Sequence, residues 1–168
     1  MIDPENPDYG NTPAGNSRPE YSYAPKEFSA QPTVSIITPY YNTGAIFQET
    51  ARSVFRQSMQ QWEWIIVNDC STDPEAVAIL DSFRDRDPRV RVIDHEINRG
   101  PSAGRNTAFR EATAPYAVQL DTDNLLEPTA IEKWLWLLES YPEFSFVKGY
   151  SVGFDAQQYL WKEGFHGG

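Results

Sequence analysis

From Pro32 onward, short β-branched apolar runs alternate with longer segments in which apolar residues recur at helical spacing. Short apolar runs are typical of buried strands, whereas recurrence at helical spacing indicates amphipathic helices. Five strands alternating with four helices predict an α/β fold with a mostly parallel sheet, right-handed crossovers and helices on both faces. The predicted strands are 33–38, 64–67, 90–93, 116–120 and 144–147, and the predicted helices are 46–58, the segment from Pro74, 102–112 and the segment from Pro128.

Residues 1–31 differ in character from the rest of the chain. Prolines recur there among Asn, Ser, Glu and Tyr, and no apolar period is present. This composition is typical of a flexible segment, so we predict a Pro-rich arm over 1–31 and a single domain over 32–168. The last four residues, FHGG, follow no predicted closing helix or strand, which indicates a domain that is incomplete at its C-terminal side.

The chain is acidic, with a formal net charge of −10 and a pI near 4.6. Nucleic-acid binding draws on clustered Lys and Arg, so this function class is not expected. An anionic ligand would need local donors or a bound cation, because the overall field repels it. The single cysteine, Cys70, favours a reducing compartment, and we expect a cytoplasmic protein. No apolar run is long enough to span a bilayer.

Polar residues follow each predicted strand, at the edge where ligands bind in open parallel sheets. The first strand leads into Pro39, Tyr41 and Asn42, and the second leads into Asp69. The fourth runs into the segment DTDN at 121–124. For Asp73 and Asp94 we favour simple capping and turn roles. The other strand ends are therefore the candidate binding site.

Asp121 and Asp123 are the candidate metal ligands. Two carboxylates separated by one residue can converge on a divalent cation, with Asn124 as a nearby neutral oxygen donor. Mg²⁺ and Mn²⁺ prefer such oxygen ligands, and Mg²⁺ commonly adds substrate phosphates and waters. A cation there would offset the repulsion of a diphosphate. The glycine-rich signatures of dinucleotide-binding and P-loop proteins do not occur in the sequence.

Four segments, in this order, resemble the inverting glycosyltransferases of family 2, which have the GT-A fold. They are VSIITPYYN at 34–42, VNDCSTD at 67–73, NRGPSAGRNTA at 98–108 and QLDTDN at 119–124. The resemblance implies a GT-A, Rossmann-like α/β domain that binds a nucleotide-sugar, expected to be a UDP-sugar, and uses Mn²⁺ or Mg²⁺. It also implies transfer of the sugar, with inversion, to a hydroxyl of a glycan, lipid or other acceptor. Asn124 departs from the family, which often has a further Asp there.

The resemblance also implies individual roles. Pro39 and Tyr41 would line the base pocket, with the Tyr41 ring stacking on the base, and Asp69 would accept a hydrogen bond from it. Arg105 would lie near the nucleotide, Asp121 near the ribose, and Asp123 on the metal. Ordinary packing remains the alternative for Tyr41, and a solvated helix charge for Arg105. The implied nucleotide-sugar-binding residues are Pro39, Tyr41, Asn42, Asp69, Arg105, Asp121, Thr122 and Asp123, of which Asp121 and Asp123 are the implied metal ligands.

Alternative functions stay open at this stage. The family's general base usually lies well beyond the metal segment, and only Asp155 and Glu163 are acidic candidates there, so no catalytic residue is assigned. A non-catalytic nucleotide-binding module, or a fragment that lacks the base, is therefore an alternative to an enzyme. A nucleotidyltransferase is disfavoured because residues 39–44 lack the expected glycine-rich basic loop, and an interaction module would depend on residues 1–31. His95 is expected to have a surface or loop role.

Overall fold

The computed structural model describes residues 31–149, 151–153 and 159–161. Four parallel strands form the main sheet in the order β3-β2-β1-β4. A separate antiparallel pair, β5 with β6, follows later in the chain. The strands are β1 (Val34–Tyr40), β2 (Trp62–Asn68), β3 (Val90–Asp94), β4 (Tyr116–Gln119), β5 (Ser151–Gly153) and β6 (Tyr159–Trp161), and the helices are α1 (Phe47–Phe55), α2 (Pro74–Asp81), α3 (Pro101–Glu111) and α4 (Ala130–Ser140).

Apolar side chains cover both faces of the sheet, which confirms the predicted α/β architecture. On one face, β1 and β2 pack against helices α1, α2 and α4, with Phe47, Leu80 and Ile131 among the buried side chains. On the other face, Ile37 and Ile65 pack with Ala108 of α3. Alternate residues of a strand point to opposite faces, so nearly continuous apolar strands can fill both layers.

Helix α3 lies unusually close to the sheet. A Cβ built on Gly104 would come within 3.0 Å of Pro39 Cβ and 3.9 Å of Val67 Cβ. Glycine at this position therefore permits the helix to approach the ends of β1 and β2. The helix begins directly after Gly100, whose φ of 85° is readily adopted only by glycine, and Pro101 occupies the first turn. Close approach and sharp entry together place the start of α3 at the candidate site.

The predicted cap of α2 is confirmed. Asp73 is the N-cap residue, its side chain accepts a hydrogen bond from the N–H of Ala76, and Pro74 follows in the first turn. The predicted helix 46–58 is shorter than expected, because a 3-10 turn at Gly44–Ile46 precedes α1 and the helix ends at Phe55.

The prediction that the first strand stops at Thr38 is wrong, because β1 continues through Pro39 to Tyr40. Beyond Ile37, which pairs with Gln119, β4 has ended. Strand alternation points the nitrogen of Pro39 toward that vacant side, so its missing N–H costs no hydrogen bond in the sheet. Tyr40, one residue later, accepts a backbone hydrogen bond from Asp69 at 2.8 Å.

The predicted fifth parallel strand at 144–147 is also wrong. The N–H of Phe144 donates to the carbonyl of Tyr141 in a turn, and no strand is present in that segment. Phe144 and Phe146 are exposed rather than buried. By composition alone, a short run with two phenylalanines resembles a buried strand. Only pairing with a neighbouring strand distinguishes a buried strand from an exposed segment of this kind. Residues 1–30 of the predicted arm lie outside the described residues.

No helix among the described residues is long and apolar enough to cross a membrane.

Candidate functional site

The loops that follow β1, β2 and β4 meet at one edge of the sheet. Tyr40 pairs with Asn68, and the backbone N–H of Leu120 donates to Ile37 at 3.0 Å. Because the three strands are parallel neighbours, the chain leaves each of them on the same side. The sequence-predicted residues Pro39, at the end of β1, and Tyr41, Asn42, Asp69 and 121–123, on adjacent loops, therefore lie at this edge, with Arg105 on the nearby helix α3.

Asp69 is buried, with only 2% of its surface exposed. Its carboxylate accepts hydrogen bonds from the backbone N–H of Arg99 at 2.9 and 3.0 Å and from that of Gly100 at 2.6 Å. It also contacts His95 Nδ1 at 2.7 Å. Burial of a carboxylate is costly, and these protein groups offset much of that cost. Asp69 thus joins the end of β2 to the turn that opens α3.

The environment of Asp69 lowers the pKa of its carboxyl group. Burial alone would raise the pKa, but hydrogen bonds from the Arg99 N–H, from His95 and from the Gly100 N–H outweigh it, and a Coulombic contribution from His95 acts in the same direction. Each of these donors favours the charged form. Asp69 is therefore a stable anion at neutral pH.

His95 lies in the loop directly after β3, as the sequence suggested, but its side chain is not on the surface. Its side chain is 7% exposed, and its Nε2 lies 2.9 Å from Thr107 Oγ1 on α3. Asn68 and Asp94, the last residues of β2 and β3, pair in the sheet, so Asp69 and His95, which follow them, are neighbours. The backbone N–H of His95 donates to the carbonyl of Asn68. Sequence reasoning missed this residue because the contact depends on strand register, which spacing along the chain does not reveal.

Arg105 forms an ion pair with Asp121, with 2.6 Å between Nη2 and Oδ1. The pair links the helix on one face of the sheet to the loop after β4. The side chains are 30% and 43% exposed, so the pair is accessible from solvent. Arg105 Nε is buried and has no hydrogen-bond partner among the described residues. Arg105 is thus not the fully solvated charge that remained an alternative.

The loop 121–123 is fastened to the start of α1 through Thr122. The Thr122 hydroxyl lies 2.8 Å from Thr43 Oγ1, and its carbonyl accepts a hydrogen bond from Thr50 Oγ1 at 2.8 Å. Thr50 is fully buried. These bonds fix the backbone on which Asp121 and Asp123 sit. Neither Thr43 nor Thr50 was a candidate from sequence.

The carboxylate of Asp123 is exposed, and no described residue donates a hydrogen bond to it or forms an ion pair with it. Asp121, by contrast, is paired with Arg105. Among the described residues there is no group of three or more His, Cys, Asp or Glu side chains that would hold a metal alone. One open carboxylate fits a hard cation whose other ligands are phosphates and waters.

Asn42 connects the loops after β1 and β2. Its Oδ1 accepts hydrogen bonds from the backbone N–H groups of Thr72 and Asp73 at 2.8 and 2.9 Å. Its φ of 49° lies in the left-handed region, which Asn tolerates better than most residues. The side chain therefore orders the loops. The neighbouring Tyr41 is 48% exposed, and Pro39 packs near Gly104.

Comparisons with known proteins agree with this fold. Residues 35–165 match the profile of Glycosyl transferase family 2. The chain is 40% identical over 123 residues to TuaG of Bacillus subtilis, which is named a putative teichuronic acid biosynthesis glycosyltransferase; the match covers 73% of this chain and 48% of TuaG. An uncharacterized glycosyltransferase of Haemophilus influenzae is 35% identical over 104 residues, which cover 62% of this chain and 41% of that protein.

Among solved structures, TarS of S. aureus, residues 1–349 in complex with UDP-GlcNAc, superposes with a TM-score of 0.60 at 25% identity. The superposition covers 66% of this chain and 32% of TarS 1–349. The chain spans less than half the length of each of these relatives.

Proposed function

Because the chain belongs to glycosyl transferase family 2, we propose that it binds a UDP-sugar and forms the donor side of an inverting, metal-assisted glycosyltransferase. The complex of TarS with UDP-GlcNAc supports a uridine donor. The proposal assigns donor binding to residues 32–168 and treats residues 1–31 as an arm outside the site.

The observation that carries the proposal is the unequal state of the two acids after β4. Asp121 is neutralised by Arg105, whereas Asp123 is exposed and unpaired among the described residues. A diphosphate approaching this acidic chain needs positive charge nearby. Arg105 offers the solvent-exposed part of its guanidinium, and Asp123 would hold a cation that offsets the charge of the phosphates.

The remaining roles follow from position. Tyr41 is exposed enough to stack on the base, and Asp121 can accept a hydrogen bond from the ribose through the oxygen that Arg105 does not contact. Asn42 and Thr122 act by fixing the loops that carry these side chains. The hydrogen bond from the base to Asp69 stays a prediction, since the Asp69 side chain is only 3% exposed and already has three donor groups.

In the complete reaction, a base removes the proton of an acceptor hydroxyl, whose oxygen attacks the anomeric carbon from the side opposite the diphosphate. The new bond between this oxygen and the anomeric carbon forms as the bond from that carbon to the diphosphate breaks, so the configuration at the anomeric carbon inverts. Mn²⁺ or Mg²⁺ held by Asp123, with Asp121 nearby, would stabilise the negative charge of the leaving diphosphate. Arg105 orients the same group. The base stays unassigned, because Asp155 and Glu163 lie outside the described residues.

Calorimetric titration with UDP, with and without Mn²⁺, tests the proposal. The parent chain should bind UDP more tightly with Mn²⁺, and Asp123→Ala should lose most of that gain, at least about tenfold in affinity, because it removes the charged ligand. Glu143→Ala removes the same charge from an exposed turn and serves as the control. Equal Mn²⁺-dependent affinity in Asp123→Ala and the parent would refute the metal role.

A non-catalytic nucleotide-binding module is the second candidate. Both candidates predict Mn²⁺-dependent UDP binding. Only the enzyme predicts release of UDP from a UDP-sugar when an acceptor is supplied, so a UDP-release assay with and without acceptor separates them.

A further inference from the structure

One buried contact lies outside the roles described so far. The imidazole of His95 spans from the carboxylate of Asp69, 2.7 Å from Nδ1, to the hydroxyl of Thr107, 2.9 Å from Nε2. A carboxylate only accepts hydrogen bonds, so Nδ1 carries a proton and donates to Asp69. In the neutral ring, Nε2 then accepts from the Thr107 hydroxyl. The ring therefore joins β3, the end of β2 and α3.

We propose that His95 is a positioning residue for nucleotide binding: it orients the Asp69 carboxylate, which in turn holds the Arg99–Gly100 turn. This inference rests on the proposed function for its effect on UDP. The hydrogen bonds of the His95 ring go to Asp69 and Thr107, not to the residues proposed to contact the nucleotide or the cation, so His95 acts through Asp69.

The path from His95 to the nucleotide is short. Asp69 accepts both N–H groups of the Arg99–Gly100 turn, and α3 begins at the next residue, Pro101. Arg105 follows about one helical turn later, where it meets Asp121. The hydrogen bond from Nδ1 holds Oδ1 of the carboxylate, and the hydrogen bond between Nε2 and Thr107 holds the ring against α3. A carboxylate free to rotate would lose the geometry that both backbone donors need.

Two substitutions at His95 separate the two ends of the ring. Asn places its amide nitrogen near the position of Nδ1 and can keep the bond to Asp69, whereas the longer Gln reaches the position of Nε2 and can keep only the bond to Thr107. A residue that merely fills space would respond similarly to both changes. A positioning residue requires the donor to Asp69, so Asn should rescue what Gln loses.

Hydrogen exchange of backbone amides, measured by NMR without ligand, provides the first readout. We expect His95→Gln to reduce the protection of the Arg99 and Gly100 amides by about tenfold, since a hydrogen bond to a charged group is disturbed. His95→Asn should restore most of it. Equal protection in parent and Gln variant, or equal loss in Gln and Asn variants, overturns the proposal. Should His95→Gln not fold, His95→Ala replaces it: Ala should lower the same protection and Asn should retain it, and equal protection in the two overturns the proposal.

UDP affinity in Mn²⁺ provides the second readout. We expect His95→Gln to bind UDP several-fold more weakly than the parent and His95→Asn to stay within about threefold of it. Changed amide protection with unchanged UDP affinity overturns the positioning role but leaves the proposed function intact. A parent chain that binds no nucleoside diphosphate refutes the proposed function, and the amide exchange then still decides whether His95 holds the turn.

Discussion

At the scale of single residues, three aspartates at one edge of the sheet have different environments. Asp69, Asp121 and Asp123 all follow strands, yet one is buried and hydrogen-bonded, one is paired with Arg105 and one is exposed. Of the three, Asp69 is the one whose charge is stabilised by buried hydrogen-bond donors.

The environment of Asp69 predicts a pH-dependent contribution to stability. Its pKa is lower in the folded chain than in the unfolded chain, so its contribution is fully present above the unfolded value of about 4 and is lost as the pH falls through the folded value. Asp69→Asn should lower the free energy of unfolding by about 1 to 3 kcal/mol at pH 7, because buried donors lose their anionic acceptor.

Urea denaturation at pH 7 and at pH 3 measures this effect. The difference between parent and Asp69→Asn should shrink at pH 3, and a difference that grows on acidification would contradict the account. Glu143→Gln, in an exposed turn, is the control and should change the free energy of unfolding by no more than about 0.5 kcal/mol at pH 7.

At the scale of elements, the strands and helices that bury apolar residues were predictable, and those that depend on pairing were not. The runs at 64–67 and 90–93 became strands, and Asp73 with Pro74 begins α2 as expected. The run at 144–147 has similar composition but no partner strand among the described residues. Period and composition describe what a segment can bury, whereas pairing depends on the rest of the fold.

Thr50 of α1 holds the loop that carries the candidate metal ligands, so a substitution there should alter both stability and binding. Thr50→Val removes the hydrogen bond to the Thr122 carbonyl while nearly conserving shape, and the carbonyl is left without that donor. We expect a loss of about 1 to 2 kcal/mol in the free energy of unfolding and weaker UDP binding in Mn²⁺. Thermal denaturation and calorimetry measure the two effects.

Thr50→Ser, which keeps the hydroxyl, is the matched control and should retain UDP affinity close to that of the parent. If Val and Ser variants bound UDP equally well, the tie between α1 and the loop would have no role in the site.

At the scale of the whole molecule, one sheet brings together loops that are far apart in the sequence. The order β3-β2-β1-β4 places the first strand between the second and fourth, so the loops after all three meet at its end. Alternating runs predicted parallel strands, but the ties among these loops, such as Asn42 to Thr72 and Thr43 to Thr122, required the folded chain. We propose that this single edge binds one diphosphate and one cation.

A crystal structure of the chain grown with UDP and Mn²⁺ tests that claim most directly. We expect the diphosphate to lie beside Arg105 and Mn²⁺ to be bound by Asp123 and by phosphate oxygens. Each metal–oxygen distance should be about 2.0 to 2.3 Å, in the range of hard divalent cations. The uracil should lie toward Tyr41 and the loop after β2. Nucleotide bound at another surface, or Mn²⁺ that contacts the phosphates without Asp123, would contradict it.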